Sequence, residues 1–149
     1  MRRTARRKSL VHPLQRLAVD SRDRIRAGLE ARGHSLQPAH AGVIVHLDGA
    51  GMRLTGLAER AGMSKQAMGK LVDELEKIGY LERVPDPDDG RAKRVRFSRS
   101  GRRLLQDCGE IVDDIWAHYA ALVGETRLAR MRDTAELLFR RVDAPTPRG

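Results

Sequence analysis

Residues 55–80, TGLAERAGMSKQAMGKLVDELEKIGY, decide how the rest of the chain is read. Thr55 can cap a short helix whose apolar face is Leu57, Ala58 and Ala61. Gly62 ends it. Ser64 is a second N-cap, opening a stronger helix to Ile78 with a core stripe of Met68, Leu71, Val72, Leu75 and Ile78. Gly79 is the stop. Helix, glycine turn, helix is the helix-turn-helix pattern.

Two strand candidates come next, YLERVP at 80–85 and RAKRVRF at 91–97, and a shorter one, MRL, lies at 52–54. The intervening DPDDG carries Pro and Asp-Gly turn chemistry. A hairpin placed directly after a helix-turn-helix is a wing. On the N-terminal side, Leu14, Leu17, Ala18, Ile25 and Leu29 recur at spacings of three, four or seven, so 11–32 reads as an amphipathic helix stopped by Gly33. PAHAGVIVHL at 38–47 reads as a second helix with Pro38 in its first turn; the run GVIVHL also fits a buried strand, and periodicity does not separate the two. On the C-terminal side, Gly101–Val123 lines up Leu104, Leu105, Cys108, Ile111, Val112, Ile115, Tyr119 and Leu122. After Gly124, the residues Leu128, Met131, Ala135, Leu138 and Val142 form a helix–helix seam.

The fold class expected is mainly α with a small β-wing: a winged helix-turn-helix with N- and C-terminal dimerisation helices. Residues 36–100 form the DNA-binding lobe, and 10–35 with 101–143 form the helical dimerisation region. Residues 1–9 are a disordered basic arm (Arg2, Arg3, Arg6, Arg7, Lys8), and 144–149 a frayed tail. The terminal apolar stripes are too long for so small a lobe to cover, which argues for a second copy of the chain.

Composition narrows the function. The net charge of +9 over 149 residues favours a polyanionic partner. No apolar run approaches the roughly 20 residues of a membrane span, and none behind the basic start resembles a signal peptide. One cysteine, Cys108, excludes an intrachain disulfide and lies on an apolar stripe, where packing is favoured over a redox role. The five histidines lack metal spacing, and phosphate-loop, nucleophile-elbow and zinc motifs are absent. No enzyme activity, metal or cofactor is expected. DPDDGRAKRVRF (86–97) fails as a calcium loop, because the sixth position is not Gly and the twelfth is Phe97.

At these residues the chain resembles MarR-type transcriptional regulators. The resemblance rests on Leu57-Ala58, Gly62, Ser64, Leu71-Val72, Leu75-Glu76 and Gly79-Tyr80, on Asp86-Pro87…Asp89…Arg91…Lys93, and on Ser98 with Gly101. It implies a homodimer on a pseudo-palindromic double-stranded DNA operator, acting as repressor or activator and often released by a small-molecule effector. A cytoplasmic, nucleoid-associated protein with no membrane partner is expected. Where the family commonly shows Asp-Arg-Arg, this chain has Asp89-Gly90-Arg91.

Helical geometry puts Gln66, Lys70, Asp73 and Lys77 on the outer face of 64–78. Gln66 then reads an adenine edge and Lys70 a guanine edge or phosphate, with Ser64, Lys65 and free N–H groups suited to phosphates. Ala67 and Gly69 are small enough for close approach, and the resemblance also maps Ser64, Gln66, Ala67 and Lys70 to DNA-facing positions. In the wing, 85–94, strand alternation turns Val95 and Phe97 inward; Arg91, Lys93 and Arg94 are the expected DNA contacts in or near the minor groove. Asp89 is expected to brace the Arg91 guanidinium, with Asp86 and Asp88 as turn formers. Trp116 and Tyr119, with His46, are candidates for an effector cleft; packing accounts for the aromatic pair equally well. A sequence-nonspecific, nucleoid-coating protein is the alternative reading of the charge.

Overall fold

The computed structural model describes residues 9–142; the expectations for the basic arm at 1–9, save its last residue, and for the tail at 144–149 lie outside the described residues. The chain divides into two compact units, one up to Gly109 and one from Glu110 onward.

The first unit contains helix α1 (Val11–Ala31), a 3-10 turn (Pro38–His40), α2 (Ala41–Ile44), strand β1 (Met52–Arg53), α3 (Leu54–Arg60), α4 (Lys65–Lys77), β2 (Leu81–Asp86) and β3 (Asp89–Phe97). The strands form an antiparallel sheet in the order β1-β3-β2. Helix α5 (Arg99–Val123) begins in this unit and continues into the second, which also holds α6 (Glu125–Val142).

Several boundaries differ from the sequence expectation, each for a local reason. The helix expected at 38–47 is split: Pro38 starts a 3-10 turn, and α2 ends at Ile44, passing into a hydrogen-bonded turn in which Leu47 N–H donates to the Val43 carbonyl. Thr55 does not cap α3, because the helix already begins at Leu54 and its N-cap position is Arg53, in extended conformation. Ile78 leaves the core stripe and is 47% exposed, since at the C-cap the chain has left the helical path and the 3.6-residue period no longer applies. The wing turn is tighter than DPDDG suggests: β2 runs to Asp86 and β3 starts at Asp89, leaving Pro87 and Asp88 as the turn.

The core of the first unit gathers Val43 from α2, Leu57 and Ala58 from α3, Met68, Val72 and Leu75 from α4, and Leu81, Val95 and Phe97 from the sheet. Each large apolar side chain buried here contributes roughly 1.5–3 kcal/mol. One face of α4 is thereby held, and its opposite face is left to solvent. A buried histidine adds a polar tie. His40 Nδ1 accepts the Gln37 N–H at 3.2 Å, so the neutral ring carries its proton on Nε2, aimed at Glu74 Oε2 of α4 at 3.1 Å. His34 makes a second tie, with Nδ1 2.8 Å from the Tyr80 hydroxyl and Nε2 2.7 Å from Asp107 Oδ2. These bonds join the α1–α2 linker to the exit of α4 and to the first part of α5.

The Ser98…Gly101 motif closes the same junction. Ser98 Oγ donates to the Gly79 carbonyl at 2.5 Å and accepts the Gly101 N–H at 3.1 Å, while Ser98 N–H donates to the Tyr80 carbonyl at 3.0 Å. α5 thus starts against the backbone that leaves α4. A Cβ on Gly101 would lie 2.1 Å from the Tyr80 carbonyl oxygen. Gly101→Ala is therefore expected to lower the melting temperature, with an overpacking cost of roughly 1–3 kcal/mol or more. Gly109→Ala, on the same helix with open space around its Cβ position, should stabilise by about 0.5–1 kcal/mol. Thermal unfolding followed by circular dichroism checks both signs.

Candidate nucleic-acid interface

The first candidate surface is the outer face of α4. Ser64 sits at its N-cap and its Oγ accepts the Ala67 N–H at 3.1 Å, which fixes where the helix begins. Lys65, Gln66, Ala67, Lys70, Asp73 and Lys77 are all exposed, opposite buried Met68, Val72 and Leu75. The spacing of the apolar residues in the sequence is what sets this division. Gly69 does not belong to the outer surface: its Cβ position faces Leu54, 3.7 Å away, and so serves the α3–α4 contact.

The second surface is the wing. β2 and β3 pair in the register Leu81↔Phe97, Arg83↔Val95 and Pro85↔Lys93, with an irregularity at Pro85/Asp86. Val95 and Phe97 are buried at the base of the hairpin, as alternation required, and Arg91 and Lys93 are exposed nearer its tip. Among the described residues no carboxylate forms an ion pair with the Arg91 guanidinium or the Lys93 ammonium.

What holds the wing tip is Asp86. Its side chain has no exposed surface. Arg53 Nε donates to Oδ2 at 2.6 Å, the Asp88 N–H donates to Oδ1 at 2.9 Å, and Arg94 Nε lies 3.4 Å from Oδ2. The bond from Arg53, helped by the Asp88 N–H, holds the Asp86 carboxyl below the ordinary carboxylate range; the same bond raises the Arg53 pKa. Asp89 acts differently from the expectation. Its Oδ1 accepts the Arg91 backbone N–H at 3.1 Å rather than gripping the guanidinium, and its Oδ2 is 3.6 Å from Arg53. Arg94 is turned inward, towards Asp86 and, at 3.5 Å, Asp88. Arg53 is the residue that sequence reasoning missed. It pairs with Arg94 in the β1–β3 register and reaches an acid 33 positions away, and no local spacing announces that contact.

The remaining candidates lie elsewhere. His46 follows α2, and its carbonyl accepts from Arg60 Nη1 at 3.2 Å. In the second unit, Trp116 Nε1 donates to Glu125 Oε1 at 2.7 Å and the Arg132 guanidinium stands 5.3 Å from the Trp116 ring centroid, so both the edge and the face of the indole are engaged. Tyr119 stacks obliquely with His118. Burial, then Asp107, push the Cys108 thiol up, which disfavours the reactive thiolate.

The two surfaces lie on elements of one compact unit, and the comparisons with known proteins point to it. A model described as MarR family matches residues 34–92. The transcriptional activatory protein BadR of Rhodopseudomonas palustris is 27% identical over 93 residues, covering 62% of this chain and 52% of BadR. An HTH-type transcriptional regulator of Mycobacterium bovis is 28% identical over 87 residues, covering 58% of this chain and 61% of that protein. The chain thus spans about half to three-fifths of the length of the curated relatives it matches. Among solved structures, CouR from Rhodococcus jostii bound to p-coumaroyl-CoA superposes with a TM-score of 0.68 at 27% identity, covering 98% of this chain and 99% of CouR.

Because the Asp86 carboxyl titrates lower in the folded chain than in the unfolded one, its contribution is complete above the ordinary carboxylate pKa of about 4 and is lost as pH falls through the depressed value. Asp86→Asn is expected to lower the melting temperature by several degrees near neutral pH and to flatten the loss of stability on acidification. Melting curves of both proteins from neutral to acidic pH test this; parallel curves would refute the assignment.

Proposed function

We propose that the chain is a DNA-binding transcriptional regulator of the MarR type, the family whose model matches residues 34–92, and that it binds a pseudo-palindromic operator as a homodimer. Each protomer places α4 in the major groove and the wing, residues 85–94, in or near the minor groove. The observation that carries this reading is the presence of two exposed sets of cations on one compact unit. Lys65 and Lys70 project from the outer face of α4, and Arg91 and Lys93 from a wing whose acids are already matched by Arg53 and Arg94.

The roles follow from chemistry. Gln66 and Lys70 meet base edges, an amide suiting adenine and an ammonium suiting guanine. Ser64, Lys65 and Ala67, at the start of α4, lie against the backbone, where N–H groups and the helix dipole favour phosphate. Arg91 and Lys93 enter the negative potential of the minor groove. Arg94 and Asp89 belong to the bracing of the wing, and Gly90 keeps the tip slim where relatives would carry a base.

Apolar side chains left open on each unit support the dimer. Leu14 of α1 is 49% exposed, and Leu138 and Phe139 of α6 are 51% and 68% exposed. A second copy is the partner whose size and chemistry match them. Repression released by a small molecule is the regulatory reading, by likeness to CouR with its bound acyl-CoA. Among the described residues no helix is long and apolar enough to cross a membrane, and action at the nucleoid in the cytoplasm is part of the proposal.

Two experiments test it. Footprinting on sites selected from genomic DNA should show two half-sites about 34 Å apart, and Lys70→Ala or Arg91→Ala should weaken binding there by about 1–3 kcal/mol. Uniform coating with no preferred site would instead identify a nonspecific nucleic-acid binder. Sedimentation should show a dimer that Leu14→Glu or Leu138→Glu shifts towards monomer; a wild-type monomer would overturn the dimer.

A further inference from the structure

An acid stands on the stripe proposed to face DNA. Asp73 follows Lys70 by three residues and precedes Lys77 by four, so the three share one side of α4. Its side chain is 65% exposed. A free carboxylate there would repel the phosphates lining the groove. It would also draw Lys70 into an intrahelical pair, since charges three residues apart on a helix are neighbours.

The structure shows what Asp73 does instead. Arg83, from β2, extends its guanidinium back over α4. Nη2 reaches Asp73 Oδ1 at 2.5 Å, and Nη1 binds Glu76 Oε2. The Arg83 backbone N–H adds a 3.3 Å bond to Glu76 Oε1. One side chain thus ties two carboxylates of α4 to the first strand of the wing. Arg83 is itself only 26% exposed and is held by both carboxylates, where a surface arginine would swing free. Among the described residues neither Lys70 nor Lys77 forms an ion pair with Asp73.

We propose that Arg83 is a positioning residue for DNA recognition, a built-in counterion that holds Asp73 and Glu76 against β2 and leaves Lys70 free for the nucleic acid. The assignment rests on the reading that α4 enters the major groove. The role has two separable parts. The fork fixes the angle between α4 and the wing, which is mechanical. The charge keeps an acid from competing with phosphate for Lys70, which is electrostatic, and only this second part depends on salt.

The test compares wild type, Arg83→Gln, and Arg83→Gln combined with Asp73→Asn and Glu76→Gln. Each is titrated against a short duplex recovered by selection with the wild-type protein, and against a random-sequence duplex, over a range of salt. Arg83→Gln is expected to weaken binding to the selected duplex by about tenfold or more at low salt, and to make log affinity against log salt shallower by about one contact. The triple variant is expected to recover to within about threefold of wild type, while its melting temperature stays as low as that of Arg83→Gln. Arg83→Lys keeps the charge but loses the fork; it should bind with intermediate affinity and be rescued by Asp73→Asn, a comparison that stands even if Arg83→Gln fails to fold. Wild-type affinity in Arg83→Gln would overturn the proposal. So would a triple variant as weak as Arg83→Gln, which would leave a purely structural clamp. A wild-type protein with no preference for the selected duplex would refute groove reading by α4, while the counterion role would still be decided on the random duplex.

Discussion

A carboxylate with no exposed surface is tolerated only when its partners are in place, and the wing is organised around that requirement at Asp86. Arg53 comes from β1, Arg94 from β3, and the Asp88 N–H from the turn. Each is brought by a different part of the sheet, so the ion cluster forms only when all three strands are in register. Once it forms, the acids at the tip are matched from within, and Arg91 and Lys93 are left exposed. The density of negative charge beside positive charge at 86–97 is therefore a division of labour. Some cations close the hairpin, and the others remain available outside it.

The same logic extends through the lobe. α4 is held on one face by Met68, Val72 and Leu75, and on its flanks by polar ties: His40 to Glu74, and Arg83 to Asp73 and Glu76. These ties engage the acids of the helix, and among the described residues its exposed lysines, Lys65, Lys70 and Lys77, form no ion pair. At its end, Tyr80 serves twice. Its hydroxyl meets His34, and its carbonyl accepts the Ser98 N–H beside Gly101. The exit of α4, the linker after α1 and the start of α5 meet at this point.

Much of this lobe was legible in the order of residues. The period of Met68, Val72 and Leu75 gave the inner face of α4 and, by subtraction, its outer face. Ser64 marked its start and Gly79 its end, and alternation along β3 turned Val95 and Phe97 inward. The failures share a cause. Thr55 looked like a cap and Ile78 like core because local pattern was extended across a boundary that the backbone draws elsewhere. Gly69 looked like a groove-facing residue because a missing side chain does not say which neighbour it makes room for.

The sequence by itself determined the helix-turn-helix, the hairpin behind it and the side of α4 left to solvent. Each of these follows from spacings of a few residues, where helix and strand geometry act directly. Only the tertiary structure decided which charges pair. Asp86 rather than Asp89 became the buried anchor, Arg53 was recruited across 33 positions, Arg94 turned inward, and Arg83 covered Asp73. Ion pairing depends on distance in space and on burial, and neither is written in the local order of the chain.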